Sequence, residues 1–169
     1  VLRRLTDAEA LADLAAEAGV PLAEPPSHRG FVRRHLEVLT VADHRGTAWA
    51  VDVHDGTLQR RTEKVLVESA VESRAGVDLG ALRSTAERLL TLAGATGAGT
   101  VTFVRPDQRR QAALLRISVG VPLGHGITEM TTGLDLAKLQ LHLAEGGRLE
   151  GEPPSPRGHA LSVRLNAED

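Results

Sequence analysis

Apolar residues recur at intervals of three and four positions in three stretches of the chain, and this spacing predicts three amphipathic helices. The first helix carries Leu14 on its apolar face. Thr6 and Glu9 stand at the spacing of a capping box, so we expect Thr6 to be the N-cap. Gly19 and Pro21 stop the apolar pattern, which predicts the end of the helix just before them.

The two later helices have more regular apolar stripes. Asp78 is expected to cap the second helix, which runs through Leu89 and ends at Gly94 or Gly97. The third helix is predicted over residues 134–144.

Between the helices, apolar and polar residues alternate with a period of two, which is typical of strands. Leu36 and Val38 are expected to face the same side of the first strand. The predicted strands cover residues 35–42, 47–53, 59–67, 100–104, 112–119 and 159–165, with loops at 23–30, 120–127 and 151–158. This order of elements, α-βββ-α-ββ-α-β, favours an α+β fold with a mostly antiparallel sheet and packed helices.

The composition is that of a globular domain, with 41% hydrophobic and 25% charged residues in 169. Aromatic residues make up only 2%, so we expect a core built from Leu, Val and Ala. A net charge of −2 and the scarcity of aromatics argue against a nucleic-acid partner. No apolar run is long enough to span a membrane and no cysteine is present, so a cytoplasmic location is expected.

Several short motifs, in order along the chain, resemble those of biotin carboxylases. They are RHLEV at 34–38 with VAD at 41–43, LQRR at 58–61 with KV at 64–65, GAGT at 97–100, TEM at 128–130 with TGLDL at 132–136, and RGHA at 157–160 with VRLNAED at 163–169. The chain therefore resembles the C-terminal half of a biotin carboxylase ATP-grasp domain. We expect residues 1–30 to form an N-terminal helix and junction, and 31–169 to form the biotin-carboxylase-like subdomain.

The resemblance implies an ATP- and bicarbonate-dependent carboxylation of carrier-bound biotin, with ATP, Mg²⁺ and biotin as ligands of the family. By this resemblance, His35 matches a histidine that contacts the nucleotide. Lys64 matches a lysine on the bicarbonate and phosphate side, and Arg164 matches an arginine that contacts bicarbonate and biotin. A planar guanidinium suits such an anion. The implied partners are the other subunits of biotin-dependent carboxylases, or a second copy of the chain.

Several positions that carry the chemistry of the family hold other residues here. Thr102 and Arg116 stand where the resemblance places two metal-binding glutamates, Gly120 stands for a catalytic arginine, and Gly124 stands for the glutamate general base. Mg²⁺ prefers oxygen ligands that include carboxylates. We therefore expect no metal site and no tightly bound cofactor. The glycine-rich lid that precedes the RHLEV strand in the family is expected to be absent.

These replacements predict a catalytically inactive domain, but other interpretations remain open. In the first, the chain is active together with a partner that supplies the lid and the metal carboxylates. In the second, the chain is a non-catalytic module that binds a nucleotide or an anion. In the second case, Arg116 is expected to lie without a neutralising carboxylate beside Lys64 and Arg164. The three matched residues are otherwise retained only for packing or surface charge, and His125 with Glu129 is a further candidate acid–base pair.

The chain begins without Met, which is expected of a processed chain or an excerpt. The missing lid and the end of the chain inside a family motif are expected of a remnant, an excised fragment or a broken gene product.

Overall fold

The computed structural model describes residue 5 and residues 7–23, 33–60, 63–70, 77–106 and 111–165. In this part of the chain, four helices and eight strands follow one another. In chain order they are α1 at Ala8–Glu17, β1 at Arg33–Ala42, β2 at Ala48–Asp55, β3 at Gln59–Arg60, β4 at Glu63–Lys64, β5 at Leu66–Ser69, α2 at Leu79–Ala93, β6 at Gly97–Pro106, β7 at Ala113–Val119, α3 at His125–Thr132, α4 at Leu136–Ala144 and β8 at Leu161–Val163. Among the helices of these ranges, none is long and apolar enough to cross a membrane.

Six of the strands form one sheet in the order β7-β6-β1-β2-β5-β8, and every neighbouring pair is antiparallel. β3 and β4 pair only with each other, as a small hairpin. At the β7 edge, the segment after α1 adds a short parallel bridge between Leu22 and Leu114. The prediction of an α+β fold with a mostly antiparallel sheet is confirmed.

One face of the sheet packs against α1 and α2. Leu36 and Val38 point to this face, as the alternation along β1 predicts, and both are fully buried. They belong to one core cluster with Leu14 of α1 and Leu89 of α2. The N-terminal helix therefore shares its core with the strands that follow it.

The opposite face is covered in two places by α4 and α3. Under α4 lies a cluster of apolar residues from β1 and β2, and under α3 lies a smaller one from β5 and the residue just before β8. The two clusters contain Leu39, Val41, Trp49, Val51, Leu136, Leu143 and Leu149, and Val67, Ile127 and Ala160. Beside them, the same face of the sheet carries polar side chains, and the candidate site lies there.

The first helix begins one residue later than the capping box predicts. Asp7 is the N-cap, and its carboxylate accepts hydrogen bonds from the backbone N–H groups of Glu9 at 3.1 Å and Ala10 at 3.0 Å. The prediction of Thr6 as the N-cap is therefore wrong. The aspartate carboxylate satisfies two of the N–H groups that have no partner at a helix start.

The predicted strand over residues 59–67 is divided into β3, β4 and β5. The backbone N–H of Val65 donates to the carbonyl of Leu58 at 3.0 Å, which folds the segment back on itself. Only β5 then joins the large sheet, through His54 and Asp55 of β2. Local alternation does not reveal this reversal, because both arms of the hairpin keep the period of a strand.

The predicted loop over 120–127 ends early, because α3 begins at His125. This helix is short and contains one Gly and three Thr, which have low helix propensity, so its sequence gives little signal. In contrast, α2 follows its prediction closely. Asp78 accepts a hydrogen bond from the N–H of Ala81 at 3.0 Å, and Gly94 ends the helix with a left-handed φ of 61°.

Candidate functional site

An open cavity of about 530 Å³ lies on the polar part of the sheet, beside α3. Its volume is within the range of small-molecule sites in proteins. Six strands and the loop before α3 contribute to its wall. The lining residues are Glu37, Glu63, Lys64, Val65, Val67, Thr100, Arg116, Ser118, Pro122, Leu123, Gly124, Ser162 and Arg164.

Glu37 of β1 is the central charge of this cavity, and it is only 6% exposed. Its carboxylate contacts the ammonium group of Lys64, and its Oε1 lies 3.8 Å from Nη2 of Arg116. The hydroxyl of Thr102 donates to the same oxygen at 3.4 Å. A buried carboxylate needs such partners, because the loss of hydration is otherwise very costly.

The strand register explains why these groups meet. Glu37 pairs with Thr102 across β1 and β6, and Thr102 pairs with Arg116 across β6 and β7. The three side chains form a row across three strands, and Nε of Arg116 donates to the Thr102 hydroxyl at 3.5 Å. The expectation that Arg116 lies without a neutralising carboxylate is therefore wrong, because the register places it next to Glu37.

Two of the predicted site residues, Lys64 and Arg164, line the cavity together. The side chain of Lys64 passes over Gly56 to reach Glu37. A Cβ atom added at residue 56 would lie 3.2 Å from Cε of Lys64, so glycine leaves room for the lysine side chain. The guanidinium of Arg164 contacts the carboxylate of Glu63. The backbone N–H of Arg164 donates to the carbonyl of Val65 at 3.0 Å. The fold thus brings these two residues together, while their roles remain a prediction.

His35 lies on β1 two residues before Glu37 and is not part of the cavity wall. Its backbone N–H donates to the hydroxyl of Thr57 at 3.0 Å. Burial, followed by the nearby charge of Lys64, lowers the pKa of His35 below its usual range, and the charge of Glu37 offsets only part of this. The neutral imidazole is therefore favoured at pH 7.

A buried polar network behind the cavity is absent from the sequence prediction. Asp52 of β2 is 3% exposed, and its Oδ2 accepts a hydrogen bond from the Thr131 hydroxyl at 3.0 Å. The same oxygen lies 3.4 Å from Nε2 of His54, which is 2.9 Å from the hydroxyl of Thr128. The network fastens α3 to the sheet. The available signal is the pair Asp52 and His54, which are polar residues at alternate positions after the apolar run 48–51.

His125 and Glu129 have separate partners. Nδ1 of His125 is hydrogen-bonded to the carbonyl of Pro122 at 2.8 Å, and Glu129 accepts from the N–H of Leu136 at 2.9 Å. The first contact lies between the start of α3 and the loop before it, and the second joins α3 to the start of α4. The two side chains therefore hold different parts of the backbone and are not paired with each other.

The residues at the cavity do not fit a magnesium ion. Glu37 is already in contact with two cationic side chains, and Glu63 contacts Arg164. The positions that the resemblance assigns to metal carboxylates hold Thr102 and Arg116. Throughout the described ranges, no group of three or more His, Asp or Glu side chains is arranged to hold a metal ion.

Gly124, which the resemblance matches to a general base, lies against His54. A Cβ atom at residue 124 would lie 3.1 Å from Nδ1 of His54, closer than most side-chain carbons approach. Since Thr128 holds the imidazole, we expect Gly124→Ala to lower the free energy of unfolding by about 1–3 kcal/mol through overpacking. Denaturant unfolding of the purified chain measures this.

Gly126 provides the matched control for this substitution. It lies two residues later, within α3, and a Cβ there meets nothing within 4 Å. Gly126→Ala is expected to raise the stability by up to about 1 kcal/mol, because alanine has the higher helix propensity. Equal effects of the two substitutions would show that His54 does not restrict residue 124.

The sequence of the chain is similar to a known protein family and to several known proteins. Residues 31–152 match the family described as the carbamoyl-phosphate synthase L chain, ATP binding domain. The chain is 33% identical over 137 residues to the biotin-dependent acyl-coenzyme A carboxylase alpha3 subunit of Mycobacterium leprae, a match that covers 80% of this chain and 23% of the relative. It is 33% identical over 141 residues to the biotin carboxylase of Nostoc, covering 80% and 31%.

Solved structures show the same arrangement of strands and helices. The urea carboxylase of Kluyveromyces lactis is similar with a TM-score of 0.87 and 30% identity, over 99% of this chain and 14% of that one. A biotin carboxylase from Campylobacter jejuni is similar with a TM-score of 0.74 and 28% identity, over 82% and 31%. The chain thus spans less than a third of the length of each of these relatives.

Proposed function

The chain belongs to the family of the carbamoyl-phosphate synthase L chain ATP-binding domain and corresponds to part of a biotin carboxylase ATP-grasp domain, and we propose that it does not itself catalyse biotin carboxylation. The observation that carries this proposal is the row formed by Glu37, Thr102 and Arg116. In this row, Thr102 and Arg116 place a hydroxyl and a guanidinium where carboxylates are expected at a metal site.

Phosphoryl transfer from ATP depends on divalent cations that bridge the phosphates and neutralise the developing charge. A cation at the position of Arg116 would meet another positive charge. Two unit charges about 4 Å apart interact by roughly 4 kcal/mol at an effective dielectric constant near 20. Because Glu37 is shared by Lys64 and Arg116, no described carboxylate at the cavity is left without a cationic partner to offset this repulsion.

Within this proposal, the retained residues keep a binding role. Lys64 and Arg164 are the side chains that would contact bicarbonate and biotin, and His35 is the one that would contact the nucleotide. Their support is the shared cavity of Lys64 and Arg164, together with the neutral imidazole of His35 beside it. ATP, Mg²⁺ and biotin are ligands of the family, and we propose that none of them binds tightly here.

A second candidate function is that of one part of a larger carboxylase whose partner supplies the missing groups. The apolar side chains at the cavity favour it, since Leu123 is 85% exposed on the wall and Leu165 is 90% exposed next to Arg164. One relative is named as a subunit and one similar structure is described as a single-chain, multi-domain carboxylase. A partner that restores hydrolysis in a mixture would favour this candidate.

The proposal predicts no bicarbonate-dependent ATP hydrolysis by the chain, with or without free biotin. Phosphate release measured with Mg²⁺ and with EDTA is expected to be the same, because no described residues provide a metal site. Turnover that rises with Mg²⁺ and disappears in Lys64→Gln would contradict the proposal.

The double variant Thr102→Glu and Arg116→Glu sharpens this test. It should gain affinity for Mg²⁺, because it adds two carboxylates beside Glu37 and removes the guanidinium. It should still lack turnover, since Gly120 and Gly124 provide neither a guanidinium nor a base. Hydrolysis by the double variant would show that catalysis needs only the metal.

A further inference from the structure

We propose that β8 pairs with β8 of a second copy of this chain, antiparallel and about a two-fold axis at Val163, so that the two sheets join edge to edge in a symmetric dimer. This inference goes beyond the proposed function and does not depend on it, since it concerns an edge of the sheet and not the chemistry of the cavity. It is carried by an open strand edge, by a row of exposed apolar side chains along that edge, and by a segment whose apolar and polar positions are symmetric about Val163.

The outer edge of β8 has no partner strand within the described ranges. β8 is the last strand of the six-stranded sheet and pairs there with β5. The backbone N–H of Arg164 donates toward β5, to the carbonyl of Val65 at 3.0 Å. Backbone groups of successive residues in a strand point to alternate edges, so the N–H and C=O groups of Leu161, Val163 and Leu165 point away from β5. These groups are the ones that a further antiparallel strand would bond.

The opposite edge of the sheet is partly covered by the chain itself. On β7, the N–H of Leu114 donates to the carbonyl of Pro21 at 2.8 Å, and its carbonyl accepts from the N–H of Ala23 at 2.7 Å. Sheets commonly protect their edges in this way, because an uncovered edge is a template for pairing with another chain. Of the two edges, β8 is therefore the one along which no described segment pairs.

The open edge carries apolar side chains on the face away from the cavity. Ser162 lines the cavity, so its neighbours Leu161 and Val163 point to the opposite face of the sheet. Leu161 is 57% exposed and Val163 is 49% exposed, and Leu165, at the next alternate position, is 90% exposed. Edge strands that avoid association usually carry charged residues or proline at such positions. Burial of this row against an equivalent row would favour association.

The identity of the partner follows from the sequence of the segment, which reads Leu-Ser-Val-Arg-Leu over residues 161–165. Antiparallel pairing centred on Val163 places Leu161 of each copy opposite Leu165 of the other. Because the N–H and C=O of Val163 point outward, the pair on the axis exchanges two hydrogen bonds. A two-fold contact uses the same patch on both copies, so it requires a segment that is complementary to itself. This segment meets that requirement, which identifies a second copy as the partner.

The charges of the segment are compatible with the same register. Arg164 lies opposite Ser162 of the second copy, so no like charges are directly opposed in the paired strands. In its own chain, Arg164 already contacts the carboxylate of Glu63. The pairing therefore brings two apolar rows together without opposing two cations.

Sedimentation equilibrium of the purified chain over a range of concentrations measures the association. We expect a monomer–dimer equilibrium with no larger species, because each copy uses its open edge once. The paired segment is short, which is typical of weak interfaces, so we expect a dissociation constant in the micromolar range or above. A chain that is still monomeric at about 1 mM, or one that forms larger assemblies in place of a dimer, overturns the proposal.

Val163→Lys is expected to weaken dimerisation by about tenfold or more, because it opposes two like charges on the axis. Val119→Lys is the matched control, since Val119 lies on β7, the other edge strand, and is 47% exposed against 49% for Val163. The control should dimerise as the wild type does. Equal weakening in the two variants, or no weakening in Val163→Lys, overturns the proposal.

A charge swap tests the two-fold axis itself. Val163→Glu alone should also fail to dimerise, whereas an equimolar mixture of Val163→Glu and Val163→Lys should form a heterodimer, since residue 163 faces its own counterpart. Recovery in the mixture also shows that both variants are folded. If the mixture associates no better than either variant alone, residue 163 does not lie on the axis.

Single cysteines test the register, and the chain contains no cysteine of its own. Val163→Cys should form an intermolecular disulfide with itself under mild oxidation, because Cα atoms of directly opposed residues lie about 5.5 Å apart. Leu161→Cys should not link to itself, since the two copies of residue 161 would lie about 14 Å apart along the strands. It should link to Leu165→Cys in a mixture. Linking of Leu161→Cys to itself without linking of Val163→Cys would overturn the proposed register.

Discussion

Asp52→Ala is expected to lower the free energy of unfolding by about 3–5 kcal/mol, which is typical when one member of a buried charged network is removed. The Asp52 carboxylate accepts hydrogen bonds from the Thr131 hydroxyl at 3.0 Å and from the N–H of Val53 at 2.8 Å. It also lies 3.4 Å from His54 and 3.8 Å from Arg83. Truncation would leave these groups buried or half-buried with fewer partners.

Denaturant unfolding of the purified chain measures this loss. Asp13→Ala is a suitable control, because Asp13 is exposed on α1 and should change the stability by less than about 0.5 kcal/mol. Loss of α3 from the fold, monitored by amide hydrogen exchange, should accompany the Asp52 variant, since the network joins α3 to β2. Similar denaturation midpoints for Asp52→Ala and Asp13→Ala would show that the network around Asp52 does not stabilise the fold.

The pH dependence of the free energy of unfolding provides a second test of Asp52→Ala. Burial alone would raise the pKa of Asp52, but hydrogen bonds from His54, Val53 and Thr131 and the charge of His54 outweigh it and hold the pKa below its usual value. A carboxyl group with a lowered folded-state pKa stabilises the fold above its unfolded pKa of about 3.9. That contribution is lost as the pH falls through the folded value. The difference in stability between the wild type and Asp52→Ala should therefore narrow below about pH 4.

Leu82→Ala and Leu89→Ala on α2 are each expected to cost about 2–5 kcal/mol of stability, as core truncations commonly do. Both leucines are buried in the cluster that joins α2 to the sheet, and Leu89 is fully enclosed in it. Each truncation removes apolar contacts and leaves a cavity that the β-sheet cannot close. Because aromatics are only 2% of the chain, the aliphatic side chains carry most of this core.

Leu141→Ala on α4 is the matched control for these two variants. Leu141 is 65% exposed on the outer side of its helix, so its truncation should have little effect. Thermal or denaturant midpoints of the three variants compare the helices directly. Unchanged midpoints for both α2 variants would mean that this helix does not pack against the sheet as described.

The sequence alone determined those features that depend on neighbours close along the chain. The apolar stripe of α2, its Asp78 cap and its Gly94 terminus follow from residues within one helix, and all three agree with the structure. The alternation along β1 likewise placed Leu36 and Val38 in the core. Motif order identified the family and selected Lys64 and Arg164, which the fold brings to one cavity.

The tertiary structure alone decided which strands are neighbours and what each polar side chain meets. Periodicity assigns a residue to a face of a strand, but the partner strand depends on contacts between distant parts of the chain. The sequence therefore predicted no counter-charge for Arg116. The strand register supplies one, because Glu37 and Arg116 both pair with Thr102, which lies between them. Helix α3 escaped prediction for the same reason. Its residues have weak helix propensity, and the hydrogen bonds of Thr128 and Thr131 to β2, which hold it in place, exist only in the folded sheet.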